Sequence, residues 1–268
     1  ENLNQVQRSF VAAERLFSLL DEKSRVEVIA SDEGQAHDPQ VIEFKDVSFR
    51  YGNDEWAVRN LNFTVRKGEK VAIVGPSGGG KSTTANLLCR FHDPTSGSII
   101  ADGKDLRSFS PQEWRRSIGL VLQDIYLFPG TVLDNLRTLD TSIPDEKVQE
   151  AANQLGADPF IRRFHQGYDT ELAERGINLS VGERQLLSFT RALAHDPRLM
   201  ILDEATSSID RQTEAVLQKA LDNLLQGRTA VIIAHRLSTV RNVDRILVFN
   251  QGRIEEEGSH DELIEVDG

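Results

Sequence analysis

The chain has 268 residues, of which 27% are charged and 39% hydrophobic, and its formal net charge is −11. That length suits one large domain or two small lobes, and the acidic balance argues against sequence-independent nucleic-acid binding, which needs clustered Lys and Arg. The single cysteine, Cys89, excludes an intrachain disulfide, and no apolar run reaches the roughly 18 residues of a membrane span.

Val6, Phe10, Ala13, Phe17 and Leu20 recur at helical spacing and predict an amphipathic leader helix within residues 1–22. Its apolar seam either packs on its own domain or continues a longer helix upstream. Residues 23–40 have little periodicity, contain Gly34 and Pro39, and read as a linker. From Val41 the pattern changes. Val41, Ile42, Phe44, Val47 and Phe49 suggest edge strands, and Val71 to Val74 is a compact apolar run expected of a buried parallel strand. Ser82 to Phe91 reads as a helix stopped before Pro94. Leu199 to Leu202, Ala230 to Ala234 and Ile246 to Phe249 are three further strands, the last followed by an Asn250-Gln251-Gly252 turn. Strands alternating with helices indicate an α/β parallel sheet. Between about residues 124 and 194 helix-like patterns dominate, which predicts a helical lobe inserted into the sheet domain.

The run Gly75-Pro76-Ser77-Gly78-Gly79-Gly80-Lys81-Ser82 fits G-x-x-x-x-G-K-S. Glycines let the backbone wrap so that its N–H groups face phosphates, and the following helix adds its positive end. Lys81 should reach the β- and γ-phosphates, and Ser82 should place its hydroxyl on Mg²⁺. A strand before the loop and a helix after it are the required context. The strand Leu199 to Leu202 ends in Asp203-Glu204. A carboxylate there can hold Mg²⁺, which suits Asp203, and Glu204 is the candidate to orient or deprotonate the attacking water.

Leu179-Ser180-Val181-Gly182-Glu183-Arg184-Gln185 lies just ahead of that strand and resembles the L-S-G-G-Q signature of ABC ATPases. The stretch from about Val41 to Leu263 is similar to an ABC nucleotide-binding domain, with its motifs in the family's order. The resemblance implies a P-loop NTPase core of α/β class with a mainly parallel sheet, an antiparallel β subdomain and an inserted α-helical subdomain. It implies ATP and Mg²⁺ as ligands, with Thr83 joining Gly75 to Ser82 around the phosphates. Tyr51 looks like the aromatic that stacks on adenine, and Gln123 like the glutamine that senses Mg²⁺ and water. His235 resembles the histidine that contacts the γ-phosphate. Ser208-Ile209-Asp210 resembles the loop that crosses a dimer interface, and Gln123 through Thr131 the segment that touches a membrane domain. In the family each domain holds ATP on its own phosphate loop, and the signature of a second domain (here Ser180 and Gly182) completes the site.

Thr170 to Gly176 resembles a segment that marks exporter domains, and the leader helix looks like the tail of a last membrane helix. The resemblance therefore implies the motor of an exporter at the cytoplasmic face of a membrane, this stretch being soluble, with a transmembrane domain and a second nucleotide-binding domain as partners and no nucleic acid. The alternative is an ATP-clamped gating or regulatory module with little turnover. Two positions depart from the family pattern: Val181 stands where a glycine is usual and Glu183 where a glutamine is. Ser180-x-x-Glu183 is a good capping box, but Glu183 brings a negative charge towards a triphosphate. At about 10 Å a unit pair costs roughly 0.4 kcal/mol in water and about 1.7 kcal/mol at an effective dielectric of 20. An asymmetric pair, in which this signature serves a partner's weaker site, is one reading of that departure.

Overall fold

The computed structural model describes residues 2–21, 26, 37–52, 55–138, 140–173, 176–203, 210–234 and 237–265. Helix α1 (Asn2–Leu20) is followed by strands β1 (Val41–Arg50), β2 (Trp56–Arg66) and β3 (Lys70–Val74). Helix α2 (Lys81–Leu88), strands β4 (Ser96–Ala101) and β5 (Lys104–Asp105), helix α3 (Pro111–Arg116) and strand β6 (Ile118–Val121) come next. A mostly helical lobe holds β7 (Gly130–Thr131), α4 (Val132–Arg137), α5 (Asp145–Leu155), α6 (Asp158–Ile161), β8 (Glu171–Leu172) and α7 (Val181–Ala194). The chain returns through β9 (Leu199–Asp203), α8 (Arg211–Leu225), β10 (Thr229–Ile233), α9 (Leu237–Arg241), β11 (Arg245–Asn250), β12 (Arg253–Gly258) and α10 (His260–Glu265).

The four apolar runs read as buried strands all enter one sheet, in the order β12-β11-β3-β10-β9-β6. Its pairs are parallel except β11 with β12, which are joined by the expected turn. These strands are apolar throughout because each face meets a different core. Val71, Ile73, Ile201, Val231 and Leu247 point into a core shared with α2 and with β1 and β2. Their even-numbered neighbours Ala72, Met200, Leu202, Ile232 and Ile246 point into a core shared with α5, α7 and α8. A strand packed on both sides has no polar face to alternate with.

The second sheet has the order β2-β1-β4-β5 and is antiparallel, as expected for the β subdomain. The reading of residues 41–49 as edge strands is corrected here: β1 is interior, paired with β2 on one side and β4 on the other. Shifts of register on both sides of β1 break its alternation, and that made a central strand look like a margin.

Helix α2 also ends earlier than the run to Phe91 suggests. Arg90 takes a left-handed conformation (φ 51°), and side chains from α3 capture the last carbonyls of α2. Trp114 Nε1 donates to Leu88 O at 2.7 Å, and Arg115 Nε donates to Cys89 O at 3.1 Å. Arg115 also donates to Arg90 O. Carbonyls at a helix end lack intrahelical partners, so a cation that meets them fixes where the helix stops. Replacing Arg115 with methionine should therefore cost about 1–3 kcal/mol in a denaturant titration; an unchanged midpoint would mean the cap contributes nothing. Cys89, 2% exposed, packs as a small apolar side chain, its thiol pushed up to about 12 by burial.

The lobe is helical as read, but β7 and β8 form a two-stranded ribbon inside it. Most of the linker lies outside the described residues. In α1, Phe10, Phe17 and Leu20 are exposed, so the described parts of the chain leave most of the apolar seam uncovered. Among the described residues no helix is long and apolar enough to cross a membrane.

Candidate nucleotide site

The phosphate loop leaves the end of β3, in the middle of the parallel sheet. Gly75 has φ 140°, and a Cβ there would lie 2.0 Å from the backbone oxygen of Phe249 in β11. Gly80 caps α2 with φ 96°, and a Cβ there would meet Ala57 O at 2.7 Å. At both ends the loop is pressed against other backbone, which only glycine permits. Within it Gly79 N donates to Pro76 O, and Gly252 N, from the β11–β12 turn, donates to Gly79 O, each at 3.1 Å.

Lys81 is almost fully buried, and its Nζ donates to Gly75 O at 2.9 Å and Pro76 O at 2.8 Å. Burial pulls the ammonium below the ordinary lysine range, and the charge of Asp203 opposes that shift in part. Asp203 ends β9 and stands level with Ile73, because Ile233 of β10 pairs with both. This register lets Ser82 Oγ donate to Asp203 Oδ2 at 3.0 Å. Gln123 follows β6 by two residues, at the same end of the sheet, and is exposed. Tyr51 comes next to this group by its hydroxyl, which donates to Thr83 Oγ1 at 3.4 Å. Its ring meets Phe49 edge-on at 4.8 Å and His92 at 5.3 Å, and it remains 41% exposed. His92 was not singled out in the sequence, and nothing about a lone histidine in a loop marks it.

Ser180 and Gly182 form a second group. Ser180 caps α7: its Oγ accepts from Glu183 N at 3.2 Å, and Ser180 N donates to Glu183 Oε2 at 2.9 Å. Gly182 lies against α8, where a Cβ would fall 2.4 Å from Thr213 Cγ2. Asp210 joins this group, since its Oδ1 accepts from Thr213 N at 3.0 Å at the start of α8. Among the described residues no hydrogen bond or ion pair joins the signature group to the phosphate loop. The structure thus brings together Tyr51, Gly75 to Thr83 and Asp203, with Gln123 at the same end of the sheet, and separately Ser180, Gly182 and Asp210. Glu204, Ser208, Ile209 and His235, and Glu174 and Arg175 of the exporter-like segment, lie outside the described residues.

A partly buried network not legible in the sequence links the two groups' elements. Arg191, near the end of α7, donates to Asn135 O at 2.8 Å and Tyr126 O at 3.0 Å. The side chain of Asn135 bonds both the N–H and the carbonyl of Phe128. These contacts fix the stretch after Gln123 and leave the rings of Tyr126 and Phe128 exposed.

The ABC transporter family model matches residues 58–207. The chain belongs to the ABC transporter family. It is an ATP-binding domain of that family's ATPases. This ABC domain is 48% identical over 258 residues to the probable multidrug resistance ABC transporter ATP-binding/permease protein YheH of Bacillus subtilis (strain 168), spanning 96% of this chain and 38% of that protein. It is 44% identical over 263 residues to an ATP-dependent lipid A-core flippase of Desulfotalea psychrophila, spanning 98% of this chain and 46% of that one. Among solved structures it matches a bacterial Atm1-family ABC exporter with ATP bound, at a TM-score of 0.85 and 38% identity, over 98% of this chain and 46% of the other. The ABC domain described here therefore spans less than half the length of these relatives.

Proposed function

We propose that this domain is the ATP-hydrolysing motor of an ABC exporter and works as one of a pair of nucleotide-binding domains. The observation that carries the reading is the meeting of Lys81, Ser82 and Asp203 at the end of a buried sheet. Lys81 is held by two loop carbonyls that a phosphate oxygen can replace, and a buried ammonium gains from the exchange because it trades neutral acceptors for charged ones.

The oxygen donors fit Mg²⁺: a hydroxyl and a carboxylate lie within hydrogen-bond distance of each other, and hard oxygen ligands suit that ion. Ser82, Asp203 and Gln123 would hold it, and it would supply charge neutralisation on the phosphates. Tyr51 presents a ring face for the base. Glu204 takes the role of orienting or deprotonating water, and His235 that of a γ-phosphate contact. Ser180 and Gly182 sit at the start of a 14-residue helix, whose N–H groups and positive end suit a partner's phosphate. The export reading draws on the relatives named above, and under it the exposed rings of Tyr126 and Phe128 face a transmembrane domain. The apolar seam of α1 is the lower end of a membrane helix in the same reading.

The test is Glu204→Gln, with molar mass followed by light scattering with and without Mg-ATP. Blocking hydrolysis should trap the paired state, so the mass should double only when ATP is present. A monomer that binds ATP would make the partner a different chain; a protein that binds no ATP would overturn the reading.

A further inference from the structure

We infer that Arg163 supplies the positive charge that lets a signature carrying Glu183 accept the nucleotide held by a second copy of this chain. This rests on the pairing proposed above and names a residue for it outside the signature motif. The difficulty it answers is electrostatic. Glu183 places a carboxylate at the third position of α7, on the side where the partner's triphosphate would approach.

The two oxygens of that carboxylate have separate partners. Oε2 accepts from Ser180 N and from Ser180 Oγ, both at 2.9 Å. Oε1 lies 3.8 Å from a terminal nitrogen of Arg163. The cap therefore occupies one oxygen of Glu183 and leaves its charge uncompensated. It also spends the one proton of the Ser180 hydroxyl, which is then not available to an incoming phosphate.

Arg163 is the group that can offset this. Its backbone N–H donates to Phe160 O at 3.1 Å, and Phe160 is buried, so the base of the side chain is fixed to the lobe. The side chain itself is 74% exposed, with Glu183 as its one ion-pair partner among the described residues. A guanidinium carries five donors in a planar fork, and one distant carboxylate oxygen leaves most of them for a second anion. Its neighbour Arg162 cannot serve, because its Nε is bound to both oxygens of Asp158 at 2.8 Å. Arg163, Ser180, Gly182 and Glu183 line one open cleft of about 570 Å³, in which Arg163 and Glu183 are the only charged residues among the described ones. The pair leaves the mouth of the cleft neutral. Without Arg163 it would carry a net negative charge facing a triphosphate.

The experiment measures ATP-driven dimer affinity in the Glu204→Gln protein by sedimentation, at low salt and at about 1 M salt, where the screening length falls to about 3 Å. Arg163→Ala should weaken the dimer by about 4-fold to about 200-fold at low salt, because each of its two sites loses one unit charge at about 10 Å, about 2-fold to about 15-fold per site. Arg163→Lys should keep most of the affinity, and adding Glu183→Gln to Arg163→Ala should restore it. High salt should shrink the difference, while thermal melting and nucleotide binding to the monomer stay unchanged. An Arg163→Ala dimer as tight as its parent would overturn the inference and leave the pairing intact. So would a loss that persists in high salt or with Glu183→Gln. A parent that binds ATP yet stays monomeric would remove the second copy as partner, and this inference with it.

Discussion

Lys81→Met should lower ATP hydrolysis by at least about 100-fold and leave the melting temperature of the fold unchanged or higher. The two effects separate because Lys81 is a residue the fold tolerates rather than needs. Its ammonium is buried against two loop carbonyls, with Asp203 as the one opposite charge acting on it among the described residues. Its pKa is lowered in the folded state, so the unfolded chain binds the proton more tightly. Carrying the charge therefore costs stability below the folded pKa. That cost fades as pH rises through the folded pKa towards the ordinary lysine value of about 10.4. Methionine is of similar length and removes the cost. What it also removes is the only cation inside the loop, and charge-assisted bonds to phosphate are worth about 1.5–3 kcal/mol each. ATP binding should weaken accordingly, by about 10-fold to about 100-fold. Phosphate release, a fluorescent-nucleotide titration and a thermal melt check the three claims. Hydrolysis at near the parent rate in Lys81→Met would show that the loop is not the phosphate site.

The parts of this site that were legible in the sequence are those whose chemistry is local. A loop that must wrap a phosphate needs glycines at fixed intervals, a lysine and a hydroxyl within eight positions, and those are read directly from residues 75–82. The strands β3, β9, β10 and β11 were legible because burial on both faces leaves an uninterrupted apolar run. What was not legible depends on residues far apart in the chain. The end of α2 is set by Trp114 and Arg115, more than twenty residues downstream, so no local stop signal marks it. The ribbon of β7 and β8 has two residues per strand, too few to show any period. Arg163 and Glu183 meet only because the turn after α6 folds near the start of α7, so the sequence exposes the problem of Glu183 and not its counterweight. Gly182 is legible as part of a signature, but its packing against Thr213 is not, and that contact is a physical reason for glycine there.

Gly75→Ala should cost the fold about 3 kcal/mol or more and remove nucleotide binding, whereas Gly78→Ala should cost only about 1 kcal/mol. Both glycines have positive φ, 140° and 77°, so both substitutions carry backbone strain. They differ in what a methyl group would meet. At Gly78 nothing lies within 4 Å. At Gly75 the added carbon would fall 2.0 Å from Phe249 O, an atom that cannot swing aside as the end of a side chain can. Phe249 is fully buried in β11, and β11 is paired with β3 through Leu247 with Ile73 and Val248 with Val74. Moving either strand to make room would open that ladder at the point where the phosphate loop begins. A denaturant titration measures the difference, read as a shift of midpoint at constant slope. If Gly75→Ala unfolded at the same midpoint as Gly78→Ala, the close approach to Phe249 would not be a constraint. The larger loss would mean that β11, which contributes none of the proposed nucleotide contacts, sets the shape of the loop from behind.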